Sequence, residues 1–144
     1  MPRSTIEILE GRTLEQKKKL VYGVCEAIED YLYQPDIWQK GSFLRVIEIN
    51  PANLSTGGEM LSEVIARGGQ FAGKPEPRLT VQFVEDRIKS MEQKRAFIGR
   101  LTDVLVDTLG CPRENVLIFL LPQPKTNFAS GGEMRCDTDS KVSK

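Results

Sequence analysis

The chain has 144 residues, with 20 Lys and Arg against 20 Asp and Glu, no histidine and 40% hydrophobic residues. That size suits one domain or two small halves, and balanced charge offers no electrostatic footprint for nucleic acid or an acidic membrane surface. Cys25, Cys111 and Cys136 are scattered, without a CxxC spacing, which argues against a disulfide framework or a Cys/His metal site.

Nothing at the start resembles a signal peptide or a long apolar span, so the expected location is cytoplasmic, with no membrane partner. Residues 4–10, STIEILE, alternate as a strand does, with Ile6 and Ile8 on one face. Gly11 bends the chain, and Thr13 with Gln16 three residues on forms a capping-box pattern. Leu20, Val21, Val24, Ala27, Ile28, Tyr31 and Leu32 then recur at helical spacing. Cys25 falls on that helix and reads as a small core residue. Pro35 and Gly41 end the helical region, Trp38 lies in the loop between them, FLRVIEIN (43–50) is a second strand, and NPANLSTGGEM is rich in turn residues.

The second half repeats this order. LTVQFVED (79–86) reads as a strand, and SMEQKRAFIGRLTDVLVDTLG as a helix with Gly110 at its C-terminus. NVLIFLLP (115–122) is nearly continuous apolar sequence, the pattern of a strand buried on both faces. EGR and EDR, EQK and EQK, TGGEM and SGGEM follow one another in matching order.

The expected fold is α+β: tandem β-α-β units forming a four-stranded sheet with two helices on one face. The units are expected at 1–60 and 77–134, with a linker at 61–76 whose Gly- and Pro-rich second part suits an exposed connection, and a polar, frayed tail at 135–144. The uncovered face of the sheet needs a partner, so the chain is expected to oligomerise.

Pro2 and Pro77 each lie ten positions before an arginine, Arg12 and Arg87. Initiator methionine is generally removed before proline. Pro2 would then carry a free secondary amine, a base and a nucleophile whose pKa burial or nearby cations would depress toward neutrality. Pro77 is locked in an amide and offers no lone pair.

P-x₃-I-x-ILEGRT-x-EQK-x₂-L…EAI resembles the opening of the 4-oxalocrotonate tautomerases of the tautomerase superfamily. The likeness is stronger over 2–60 than over 77–134, although KTNFASGG is the better match to that family's C-terminal region. The whole chain resembles the fused members, which join two units in one polypeptide. The resemblance implies a homotrimer, no metal or organic cofactor, and a small unsaturated 2-hydroxy or 2-oxo acid as substrate, with 2-hydroxymuconate as the type. It implies Pro2 as general base, Arg45 as the group polarising a carbonyl, Arg12 and Arg87 as carboxylate ligands, and Phe128 as the aromatic lining the pocket. Leu117 is read as the second copy's residue at the Arg45 position, and Leu54 as the first copy's at the Phe128 position. Other branches of the superfamily act as dehalogenases, hydratases or decarboxylases. Arg78 beside Arg87 keeps them open, with Glu114 and Glu133 as candidate water-activating carboxylates. A non-catalytic binding or assembly module is the alternative of another class.

Overall fold

The structure, a computed structural model, describes residues 2–32 and 42–142, with side chains as far as Thr138. Trp38, Pro35 and Gly41 lie outside the described residues. The first unit comprises β1 (Arg3–Leu9), α1 (Leu14–Leu32) and β2 (Phe43–Ile49), followed by a small hairpin of β3 (Ser55–Thr56) and β4 (Glu59–Met60), then α2 (Leu61–Ala66). The second comprises β5 (Arg78–Val84), α3 (Met91–Leu109) and β6 (Leu117–Gln123), then β7 (Ala129–Ser130), β8 (Glu133–Met134) and α4 (Arg135–Val142). Two short helices lie outside the expected elements: α2 opens the segment read as a linker, and α4 occupies the tail expected to be frayed. Each begins directly after a Gly-Gly hairpin. Leu61 and Val64 bury the inner side of α2, and the Arg135 side chain is buried at the start of α4.

The local chemistry of both long helices follows the sequence. Thr13 N–H donates to Gln16 Oε1 at 2.9 Å, and Gln16 N–H donates back to Thr13 Oγ at 3.2 Å, so two orphan donors of α1 are satisfied reciprocally. At α3, Ser90 Oγ accepts from Gln93 N–H. Gly110 closes α3 in the left-handed region, with φ 65°, which a residue bearing a Cβ adopts only with strain.

The four long strands run in the order β2-β1-β5-β6. Within each unit the pair is parallel, and the units join through the antiparallel pair β1–β5. Thr5 faces Thr80 at the middle of that pair, and the register is symmetric about it: Arg3 faces Gln82, and Glu7 faces Arg78. A pseudo-twofold axis therefore passes between the two threonines. It also relates the prolines. Pro2 C=O accepts from Phe43 N–H at 3.1 Å, and Pro77 C=O accepts from Leu117 N–H at 3.2 Å.

The register corrects one pairing. Thr5 is opposite Arg45 and Thr80 is opposite Phe119, so the counterpart of Arg45 is Phe119, while Leu117 corresponds to Phe43. The uneven spacing of the sequence landmarks hid this two-residue slip. The pairing of Leu54 with Phe128 does hold: each follows a 3-10 turn, and each carbonyl accepts from the first residue of the next short helix.

Alternation sends Ile6, Ile8, Leu79, Val81 and Phe83 to the helical side, where they meet Leu20, Val24, Ile28, Phe97, Leu101 and Leu105 in one core. The helices come close where α1 carries Gly23. A Cβ there would stand 2.7 Å from Val104 Cγ1. The opposite face has no covering layer among the described residues, and it is not uniformly apolar. Its two central strands present Arg3, Thr5, Glu7, Arg78, Thr80 and Gln82, while its edge strands present Phe43, Ile47, Leu117 and Phe119, all exposed. The apolar run in β6 therefore does not have both faces buried within one chain. It is an edge strand whose outer face leaves Leu117 48% and Phe119 39% exposed.

Candidate active site

Two clefts meet at the Pro2 end of the sheet. One, of about 320 Å³, lies between the end of β5 and the loop after β6, with Phe83, Val84, Asn127 and Phe128 in its wall. The other, of about 350 Å³, lies on the uncovered face of the sheet and contains Thr5, Phe43, Arg45 and Thr80. Arg3 and Gln82 line both. They face one another across β1 and β5, so the guanidinium of Arg3 stands where the two spaces join. Pro2, half-buried, immediately precedes it.

This junction brings the two units together. Arg45 comes from β2 of the first unit and Phe128 from the loop after β6 of the second. Arg87 closes the 3-10 turn Glu85–Arg87 that follows β5, so it lies at the Pro2 end of the sheet as well. Its side chain is 8% exposed, with Nε 3.9 Å from Asp86 Oδ1, and Asp86 also meets Lys125 Nζ at 3.1 Å. Pro2, Arg45, Arg87 and Phe128 thus share one end or one face of the chain.

Arg12 does not join them. It follows the far end of β1, and seven residues of strand separate that end from Pro2, about 20 Å at the usual rise. There Arg12 grips Glu76 with both terminal nitrogens, Nη1 to Oε2 at 2.7 Å and Nη2 to Oε1 at 2.5 Å. Arg12 Nη1 also donates to Leu9 C=O, and Leu9 N–H donates to Glu76 Oε2 at 2.6 Å. The hydrogen bond to Glu76 raises the Arg12 pKa above its ordinary value, against the opposing effect of burial. Glu114 is also at this end, in the turn before β6, where its carbonyl accepts from Lys74. Glu133 is exposed on β8.

Arg3, Gln82 and Glu76 were not singled out from the sequence. The available signal was the doubling itself. Arg3 and Arg78 are equivalent, as are Gln82 and Glu7, but Arg78 has a carboxylate opposite it (Glu7, 4.0 Å) where Arg3 has an amide. Among the described residues neither Arg3 nor Arg45 has an ion-pair partner; Arg3 instead lies over the Phe43 ring, 5.0 Å from its centroid. Among the described residues the cleft junction thus holds two cations, Arg3 and Arg45, with no carboxylate partner, whereas Arg78 at the Pro77 end has Glu7. Among the described residues no group of three or more Cys, Asp or Glu side chains is gathered as a metal site would require. No helix among them is long and apolar enough to cross a membrane.

Comparison with known proteins agrees with this architecture. The family described as Tautomerase enzyme matches residues 77–137, the unit in which the weaker likeness was expected. The probable tautomerase lin2709 of Listeria innocua is 38% identical over 61 residues, which are 42% of this chain and 97% of that protein. The chain thus carries about twice the length of that relative. Among solved structures, the R7 fused 4-OT wild-type asymmetric trimer superposes with a TM-score of 0.74 at 18% identity, covering 95% of this chain and 98% of that one. Pt0534 inactivated by 2-oxo-3-pentynoate gives 0.71 at 24% identity, over 95% and 98%.

Proposed function

The chain belongs to the tautomerase family and is an enzyme of the isomerase class, and from that premise we propose that it moves a proton within small unsaturated 2-hydroxy or 2-oxo acids, with the amine of Pro2 as the base and no cofactor. The observation that carries this reading is the cleft junction at the Pro2 end, built from both units and edged by Arg3, Arg45 and Phe128.

In the ketonising direction, the neutral amine takes the proton of the 2-hydroxyl. The O–H electron pair becomes the carbonyl π bond, and the conjugated system takes the proton back from Pro2 at a chain carbon. Nothing is oxidised or reduced. Arg45 meets the negative charge that gathers on the oxygen, and Arg87 holds the carboxylate in its planar fork. Phe128 supplies an apolar wall, which keeps water from weakening these interactions. Arg3, next to the base, helps keep the amine neutral by disfavouring its protonated form. Arg12 has no part in this site, because it is held by Glu76 at the other end of the strand.

The working assembly is a homotrimer, and the protein acts in the cytoplasm. The exposed Phe43, Ile47, Leu117 and Phe119 on the uncovered face supply the apolar area for assembly. Sedimentation equilibrium should give three chains per particle, and a stable monomer at micromolar concentration would remove the trimer from this reading.

The test of the chemistry uses 2-oxo-3-pentynoate, whose alkyne carbon accepts an amine lone pair. After incubation, mass spectrometry of the N-terminal peptide should find the adduct on Pro2, together with loss of 2-hydroxymuconate or phenylenolpyruvate ketonisation in the ultraviolet. An active enzyme that retains Met1, or inactivation with the adduct elsewhere, would refute Pro2 as the base.

A further inference from the structure

The pseudo-twofold axis carries the Pro2 end onto the Pro77 end, and Glu76 is among the residues that break the correspondence. Arg87 maps onto Arg12, Val84 onto Leu9, and Pro2 onto Pro77. Glu76 maps onto position 1, which is methionine in the sequence. At the Pro77 end the carboxylate of Glu76 is held in three ways: both terminal nitrogens of Arg12, and the backbone N–H of Leu9. The geometry is that of a recognised ligand, since a planar fork meets both oxygens of a carboxylate and a backbone donor caps one of them. Both side chains are largely enclosed, 18% exposed for Arg12 and 15% for Glu76.

We propose that the Pro77 end is a carboxylate-binding pocket that the chain fills with its own Glu76, so that removing this side chain opens a second small-carboxylate site in each chain. The idea rests on the reading that the Pro2 end receives a substrate carboxylate, because the axis is what makes Glu76 the counterpart of a ligand. It explains why both units keep the arginine while only one has a terminal proline. At the Pro2 end the arginine follows a cleft; at the Pro77 end the same arginine is closed off. A substrate held at the Pro77 end would find no base, so the internal carboxylate prevents unproductive binding.

The pocket is probed with acetate, which replaces the carboxymethyl group lost in Glu76→Ala. Thermal unfolding is measured with sodium acetate and with sodium chloride at equal ionic strength. Wild type, Glu76→Gln, Glu76→Ala and Glu76→Ala/Arg12→Met are compared. Ligand that binds only the folded state raises Tm with concentration. Glu76→Ala should gain several degrees in acetate over chloride, saturating as acetate rises. Wild type and Glu76→Gln, in which a side chain of full length still fills the space, should gain less, and the double variant should lose the extra gain. The Pro2 end is common to all four proteins, so its own acetate affinity cancels in the comparison. Equal acetate responses in wild type and a folded Glu76→Ala would overturn the proposal. If Glu76→Ala does not fold in chloride, recovery of folded protein in acetate supports the pocket, and failure to recover counts against it. Ketonisation by Glu76→Ala is read separately. Acetate binding without any Pro2-dependent activity would defeat the proposed function while leaving this pocket standing.

Discussion

At one end of the β1–β5 pair, Arg12 holds Glu76 and the backbone of Leu9 completes the grip. At the other, Arg87 follows Val84, whose cleft is bounded by Phe128 and Arg3. The same β-α-β unit made both ends, and the register shows how little separates them: Gln82 opposite Arg3 in place of Glu7 opposite Arg78, and Arg45 where the other unit has Phe119. Duplication supplies two copies of a site, and with Pro2 as the proposed base only the Pro2 copy gains from keeping a cleft. The other can spend its arginine on holding the chain together. The comparison makes definite demands on mutagenesis.

The largest effect should come from the prolines. A variant that retains Met1 converts the Pro2 amine into an amide and should lower kcat/KM by about 10²–10⁴, the usual worth of a positioned general base. Pro77→Ala should leave kcat/KM close to wild type, because Pro77 is already an amide. Its cost should appear in stability instead, since its side chain is fully buried. Steady-state kinetics with intact-mass confirmation of each N-terminus decides between these outcomes. Equal kinetic losses in the two variants would mean that the ends are not chemically distinct.

Next in size is Arg45. Replacement by alanine should reduce kcat by about 10²–10³ if its charge meets the developing oxyanion. Phe119 occupies the equivalent place and cannot compensate. Arg87→Ala should mainly raise KM, as removal of a contact made equally in ground and transition states does. Wild-type parameters for Arg45→Ala in a normally assembled protein would place Arg45 outside the site.

Arg12→Ala should do the reverse. It leaves a largely enclosed Glu76 carboxylate without its cation, a loss of about 3 kcal/mol in stability, at the low end for a broken buried pair because some solvent reaches both groups. Catalysis per folded molecule should be nearly unchanged. Urea denaturation alongside active-site-normalised kinetics separates the two effects. A raised KM at unchanged stability would return Arg12 to substrate binding.

The elements were legible because their signals are local. The Thr13–Gln16 box, the Gly110 cap and the period-two run through Ile6 and Ile8 each depend on neighbours within a few residues, and the doubled landmarks are short local motifs that recur in the same order. The repeat even gave the layout of the sheet. What could not be read was register across strands. The offset between copies differs at the strand, helix and loop landmarks, so assigning Phe119 and not Leu117 to the Arg45 position required the slip to be known in advance. The fate of Arg12 was hidden for a related reason. Its partner Glu76 is 64 positions away, in a segment whose composition reads only as a linker. The importance of Arg3 depends on Gln82 opposite it, a contact set by β1–β5 pairing and not by any motif. The roles proposed for Arg45 and Phe128 came from family resemblance, because an isolated arginine or aromatic carries no sign of what it faces.

The smallest expected effect concerns Cys111, just beyond Gly110 and close enough to the closed end to feel both Glu76 and Arg12. Burial raises its thiol pKa above the ordinary 9.0. A backbone hydrogen bond opposes this, and Glu76 and Arg12 push in opposite directions, upward and downward. Below pH 9.0 the thiol keeps its proton in folded and unfolded chains alike and contributes no pH dependence. As pH rises past 9.0 the unfolded chain releases the proton first, so stability falls until the pH reaches the higher folded pKa. Under reducing conditions, the urea midpoint of wild type should therefore decline relative to Cys111→Ala above about pH 9, with no relative change below it. Because burial is the largest influence, the same decline should persist in Glu76→Gln, which removes one upward push and leaves burial in place. Loss of the decline in Glu76→Gln would show that the ion pair, not burial, governs this thiol. The closed end would then act on its surroundings mainly through charge.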